Sequence, residues 1–297
     1  MSADGIRLGE RGQLALMLAP YVIGALLLFI APAAYSLALA LTDADLLTPS
    51  RFIGLANFEE LAFDDDIFPG VLWRSALFVA IAVPLRLAVA TGLALLLHAR
   101  ARGARTGRTF AFLPSVVPDA AWAMIWLFLL NPIYGPVNWL LGLVGIAPVS
   151  WFSDGNAAFV AIVLMMAFTV GEAFIVALAA RQELPEELYS VARLEGAGVW
   201  FVLRTVTLPL MAPVLALLAT RDVAVSLQAT FTATYLLTDG GPDRATLFLP
   251  IYSFDMGFEL LRYGYASAMM LLGFLGCLAI GVLQWRLIRR WRLGLSH

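Results

Sequence analysis

Between Leu14 and Leu41 the chain runs without a single charged residue. A helix rises about 1.5 Å per residue and a bilayer's hydrocarbon core is about 30 Å thick, so this run is long enough to cross. It also exceeds the short apolar core of a secretory leader. The stretch "APAAYSLALA" resembles a small-residue cleavage site, but the length argues for an uncleaved first span. Inside hydrocarbon every backbone N–H and C=O must be satisfied within the protein, which restricts spanning segments to helices and closed barrels. Apolar runs bounded by charges or by Gly, Pro and Asn clusters predict helices near 14–42, 71–98, 110–130, 156–181, 209–231 and 263–286. Composition agrees, with 61% hydrophobic and 13% charged residues and a mean hydropathy of +0.86, where soluble domains rarely exceed half apolar. The expected fold is an all-α polytopic membrane protein with six transmembrane helices.

Several chemistries are excluded by residue type. Cys277 is the only cysteine, so no intrachain disulfide forms, and His98 and His297 are the only histidines, so no histidine-based metal site is available. All 19 basic residues are arginine. A phosphate-binding P-loop needs its lysine, so if ATP powers this protein, another chain binds it.

Arginine placement orients the spans by the positive-inside rule. Thirteen arginines fall on one side: Arg7 and Arg11; Arg100, Arg102, Arg105 and Arg108; Arg181, Arg193 and Arg204; Arg286, Arg289, Arg290 and Arg292. Only Arg51, Arg74, Arg244 and Arg262 fall on the other. Both termini are therefore expected in the cytoplasm, with residues 1–13 and 287–297 as cytoplasmic segments around a membrane domain of residues 14–286. Outside, "RFIGLANFEELAFDDDIF" places Phe52, Leu55, Phe58 and Leu61 on one face, which suits either a lateral interfacial helix or a solvated loop.

On this topology the charged passage "ELPEELYSVARLEGAG", residues 183–198, lies in the cytoplasm within a loop of residues 182–208 between helices four and five. Pro185 suits a first helical turn, Glu186 and Glu187 complement the positive helix end, and Gly196 and Gly198 suit its termination. Leu184, Leu188, Val191 and Ala192 form a narrow apolar stripe behind a charged face carrying Glu187, Arg193 and Glu195. Such a helix is too short to span. Its stripe either packs back on its own bundle or enters a partner's groove.

The continuation, "LPEELYSVARLEGAGVWFVLRTVTLPLMAP", resembles the EAA loop of binding-protein-dependent ABC importer permeases, with Gly196, Val206, Leu208 and Pro209 at motif positions. "LLTDGGPDRATLFLPIYSFDMGFELLRYGYASAM", "FIGLANFEEL" and "NPIYGPVNWLLG" resemble the sugar-importing branch, of maltose and glycerol-phosphate type, so the similarity runs from about residue 15 to 290. The resemblance implies a cytoplasmic coupling helix that enters a cleft on an ATPase subunit through Leu188, Ser190, Val191, Ala192, Glu195 and Gly196. Closure of the ATPase dimer would then lever the spans between inward-facing and outward-facing states. It further implies a second, different permease chain, two ATP-binding subunits that hold ATP and magnesium, an extracytoplasmic solute-binding protein, and a place in the bacterial inner membrane. No cofactor, metal, catalytic residue or nucleic acid is expected on this chain. The sequence departs from the motif at Ser190, where relatives carry glutamate, and at Glu195, where they carry aspartate.

Five charges fall inside predicted spans: Arg86, Asp119, Glu172, Arg221 and Asp222, all about 14 to 20 Å from the cytoplasmic helix ends. Such residues are costly in a membrane and mark functional sites by default. Matching depth in adjacent spans leads us to expect Arg86 to pair with Asp119. Glu172 has two roles open to it, an ion pair with Arg221 or a carboxylate facing the translocation path. In sugar importers the region before the "LTDGGP" turn contacts the solute, which the resemblance carries to Ser226, Leu227, Gln228 and Thr230. Whether Arg221 is paired decides between a neutral sugar and a glycerol-phosphate-like solute, because the latter needs free arginines. An ion-coupled secondary transporter using Asp119, Glu172 and Asp222 is the alternative class, though the inverted repeat typical of such transporters is not evident. A membrane enzyme lacks any spaced acid pair.

Overall fold

The computed structural model describes residues 10–45, 47–98 and 103–294. Arg7, Arg100 and Arg102 of the arginine count, the start of the 1–13 segment and the end of the 287–297 segment lie outside the described residues. Among those described, the chain is almost wholly helical, with one isolated bridge between Thr42 and Phe52. The helices that matter here are α1 (Gly12–Leu39), α2 (Phe68–Leu97), α3 (Ala104–Val116), α4 (Asp119–Leu129), α5 (Pro136–Leu143), α6 (Gly155–Ala167), α7 (Gly171–Gln182), α8 (Glu186–Leu194), α9 (Val199–Leu237) and α10 (Tyr263–Gly294).

Four of them, α1, α2, α9 and α10, are long and apolar enough to cross a bilayer. The other two predicted spans are not continuous. The run near 110–130 divides into α3 and α4, bent by 104°, and the run near 156–181 divides into α6 and α7, bent by 46°. The first break follows from Pro118, which offers no N–H and pushes Val117 to an extended conformation (ψ 129°). The second contains no proline. There Thr169 directs both its N–H and its hydroxyl to Met166 O, and the carbonyl of Met165 is taken by Trp122 Nε1 at 3.2 Å.

The chain forms two compact units. One comprises Met1–Asp64 with Phe254–Leu271. In it α1 has no buried side chain, as expected of a helix whose solvent is lipid. Asn57, on a short helix starting at Ala56 and itself buried, donates to Ala40 O and Thr42 O, both at 2.9 Å. Arg262 pairs with Glu60 at 2.6 Å and lies over the Tyr265 ring. On the expected lateral helix Leu61 is buried, whereas Phe52 and Leu55 precede the helix and are exposed.

The second unit, Asp65–Ser253 with Leu272–His297, is built around α2, which packs on α6, α7 and α9. Ala90 and Ala94 of α2 meet Ala173, Phe174 and Ala177 of α7 in one apolar cluster with Met211 and Leu218 of α9. Small residues let helix backbones approach closely where lipid supplies no hydrophobic driving force. Phe78, Ala82 and Val83 of α2 meet Trp126, Ile162, Met165 and Phe248 in another. The two helix breaks are joined to each other, since Ser115 Oγ accepts the Gly171 N–H at 2.8 Å. A Cβ at Gly171 would lie 2.5 Å from that hydroxyl and 2.9 Å from Phe112. Gly171→Ala is therefore expected to destabilise the detergent-solubilised protein by about 1–3 kcal/mol, read as a lowered midpoint in thermal unfolding, whereas Gly92→Ala, where a Cβ meets nothing within 4 Å, should not.

Candidate functional site

A polar cavity of about 180 Å³ opens where the two breaks face α2 and α9. Its chemistry comes from Arg86 of α2, Asp119 and Trp122 of α4, Thr169 and Glu172 at the second break, and Arg221 of α9. Breaking α3–α4 and α6–α7 turns helix ends and loose backbone toward this space, which continuous spans would not do.

Arg86 is the anchor. It is buried, and its Nη1 pairs with Asp222 Oδ1 at 3.1 Å. The same nitrogen lies 3.4 Å from Ser226 Oγ, and Nη2 donates to Thr169 O at 2.9 Å. A single guanidinium thus joins α2 and α9 and satisfies a carbonyl that the second break leaves out of a helix. The expected Arg86–Asp119 pair does not form. The bend at Pro118 places Asp119 in the first turn of α4, where the positive helix end supports a carboxylate, while Asp222 comes from a helix distant in sequence. Asp119 is exposed to the cavity and has no ion-pair partner among the described residues.

The second pair is Glu172–Arg221, joining the first turn of α7 to α9, and both side chains remain about half exposed. Glu172 is thus paired with Arg221 and at the same time lines the cavity.

The polar residues singled out on the fifth predicted span do not share this lining. Ser226 and Thr230 are completely buried. Ser226 meets Arg86, and Thr230 Oγ1 bonds back to Leu227 O at 2.8 Å. Leu227 lines a separate apolar groove with Val79, Val83 and Cys277, and Gln228 is exposed elsewhere on the helix. The face of α9 that meets the cavity is Arg221, Val225, Ala229 and Ala233. Sequence reasoning missed this stripe along with Ser115 and Trp122; stepping by four from Arg221 would have found it.

Beyond α7, α8 ends at Gly196 as the sequence predicts, while Pro185 stands one residue before the first turn and Gly198 caps the start of α9 instead of ending α8. Pro185 is its extended N-cap, and Gly196, at φ +72°, follows its C-cap Glu195. Ala197 N bonds Ala192 O at 2.9 Å and Gly196 N bonds Arg193 O at 3.1 Å, the Schellman arrangement that needs a left-handed residue at this position. The apolar stripe divides. Leu184 packs on the bundle and Ala192 is half-buried, whereas Leu188, Val191 and Leu194 are 42%, 57% and 88% exposed. Ser190 Oγ donates to Glu186 O and accepts from Arg193 at 3.3 Å, and Glu195 is exposed.

The description "binding-protein-dependent transport system inner membrane component" matches residues 85–293, a segment that contains the cavity and α8. The sulfoquinovosyl glycerol transport system permease protein SmoG of Agrobacterium fabrum is 30% identical over 285 residues, covering 95% of this chain and 92% of that protein. The trehalose/maltose transport system permease protein MalF of Thermococcus litoralis is 29% identical over 261 residues, covering 87% and 88%. A chain of a bacterial alginate ABC transporter, solved with an alginate pentasaccharide-bound periplasmic protein, superposes with a TM-score of 0.81 at 22% identity over 94% of both chains, a likeness of fold.

Removing one member of a buried pair strands the other. Arg86→Met is expected to cost about 3–5 kcal/mol and Arg86→Met with Asp222→Leu considerably less, a non-additivity that thermal unfolding of the solubilised single and double variants measures.

Proposed function

Because the chain belongs to the family of binding-protein-dependent transport system inner membrane components, we propose that it is the permease subunit of an ATP-driven importer that moves a neutral sugar or oligosaccharide into the cytoplasm. The observation that carries the ATP-driven part is α8, a capped helix standing between α7 and α9 with Leu188, Val191 and Leu194 unburied. An amphipathic helix with an open apolar face fits a partner groove. The chain lacks lysine for a phosphate loop of its own, so ATP and magnesium belong on two partner subunits. A second permease chain of different sequence and an extracytoplasmic binding protein complete the assembly.

With each bent pair counted as one span, the chain crosses six times and places both termini and α8 in the cytoplasm of a bacterial inner membrane. Residues 182–208 then form the coupling loop, with Ser190, Ala192, Glu195 and Gly196 at the docking face or its cap.

The solute class follows from charge. Both cavity arginines are engaged by carboxylates, Arg86 by Asp222 and Arg221 by Glu172, so neither is free to clamp a phosphate. The uncommitted group is Asp119, an acceptor suited to sugar hydroxyls, beside Trp122, whose ring meets Trp126 and whose Nε1 donates to Met165 O. Glu172 and Asp119 are the path residues of this reading, with Val225 and Ala229 as the wall; Ser226 and Thr230 support Arg86 and the backbone.

Co-purification in mild detergent tests the docking. An ATPase subunit should accompany the wild-type chain, and Leu188→Ala with Val191→Ala should weaken its capture by about tenfold or more. A wild-type preparation without ATPase, together with uptake that follows an imposed proton gradient, would overturn the proposal. In the reconstituted complex, stimulation of ATP hydrolysis by neutral disaccharides but not by glycerol phosphates is the expected solute response.

A further inference from the structure

One arginine is buried without a carboxylate. Arg181, in the last turn of α7, is 6% exposed, and no ion pair reaches it among the described residues. Its guanidinium carbon lies 4.2 Å from the centroid of the Tyr189 ring on α8. Its Nη2 lies 3.4 Å from His98 Nε2, at the C-cap of α2. His98 Nδ1 is 2.6 Å from Leu95 O, so Nδ1 carries the proton and Nε2 accepts from Arg181. The carbonyls of Leu97 and His98 are already taken by Arg108 of α3. The Tyr189 hydroxyl, in turn, meets Thr207 Oγ1 of α9 at 3.1 Å.

Three elements therefore converge on one desolvated cation, and what offsets its burial is an aromatic face and a single imidazole nitrogen. Attraction between a cation and a ring strengthens as water is removed, and losing either contact leaves a buried charge uncompensated. The tyrosine belongs to α8, so α8 cannot move away from the bundle without exposing that imbalance.

The two helices meeting at Arg181 also reach the cavity. On α7, Glu172 is nine residues before Arg181, about 14 Å along the axis. On α2, Arg86 is twelve residues before His98, about 18 Å. Each helix thus carries one member of a cavity ion pair, α7 in its first turn and α2 in mid-helix, and one member of the Arg181 cluster at its C-terminal end.

We propose that Arg181 is the positioning residue through which movement of α8 reaches the solute cavity. The proposal rests on the assignment of α8 as the ATPase-docking helix. When α8 is drawn by its partner, Tyr189 carries Arg181 with it, and α7 moves as a rod whose far end is Glu172. Arg181 touches neither solute nor nucleotide.

The test uses the complex with its ATPase subunits in proteoliposomes. Cys277→Ser removes the native thiol, and Val225→Cys places a reporter in the cavity wall. The rate at which a membrane-impermeant maleimide labels the reporter is compared with and without MgATP and vanadate. With Arg181 intact, trapping should change that rate by about tenfold. Arg181→Met should hydrolyse ATP but lose the labelling response, and Arg181→Lys, which keeps a cation, should restore part of it. An unchanged response in Arg181→Met would overturn the proposal.

If Arg181→Met does not assemble, Tyr189 decides. Tyr189→Phe keeps the ring and should respond like the wild type, while Tyr189→Leu should not; equal behaviour of the two overturns the proposal. A wild-type chain that captures no ATPase would instead overturn the functional assignment, and this joint with it.

Discussion

A helix inside hydrocarbon can be interrupted only where other groups take up the backbone it releases. Arg86 is the residue that makes this possible here. By donating to Thr169 O while pairing with Asp222, it holds the break between α6 and α7 open beside the cavity. The Trp122 bond to Met165 O and the Ser115 bond to Gly171 N serve the same break from the α3–α4 side. The cavity follows from these bonds: remove the interruptions and α6–α7 becomes a smooth rod with no wall of loose backbone and no inward-facing helix ends.

Much of the outline was legible beforehand. The long uncharged runs stand out because lipid permits so few alternatives, and α8 announced itself through Pro185, Glu186, Glu187 and Gly196, each suited to one end of a helix. The breaks were less visible for a physical reason. Hydropathy registers what a segment is dissolved in, and both halves of a broken span are dissolved in the same thing. Pro118 carries a signal, but the apolar residues on both sides of it make the run continuous in hydropathy. The second break carried almost none, since "FTVG" is held open by Arg86 and Trp122, which lie far away in the chain.

The same distinction explains the cavity lining. Hydroxyl-rich positions on α9 looked like a polar lining, but a threonine in a helix readily satisfies itself on the preceding turn, as Thr230 does on Leu227 O and Thr234 on Thr230 O. The cavity wall is instead the stripe that begins at Arg221 and continues through Val225 and Ala229. Small and apolar members of that stripe make room while giving no polar signal. Pairing was harder still: depth along the spans suggested Arg86 with Asp119, but depth says nothing about rotation or about which helix lies next to α2.

Ser190 sharpens the account of α8. Where the resemblance leads one to expect glutamate, the serine hydroxyl bonds to Glu186 O and receives Arg193, so a position that would extend a charge toward a partner closes a local bond instead. Rim charges mainly govern how fast partners meet and which partner is chosen, whereas buried apolar anchors govern how long they stay. On that division of labour, in the docking proposed above the substitution would alter the electrostatics of approach while leaving Leu188, Val191 and Leu194 to hold the complex. The side of α8 that faces the bundle is unaffected, because Tyr189 and Arg181 make their contact without any carboxylate. The helix thus differs by face, with aliphatic side chains left open outward and an aromatic ring on a buried cation inward.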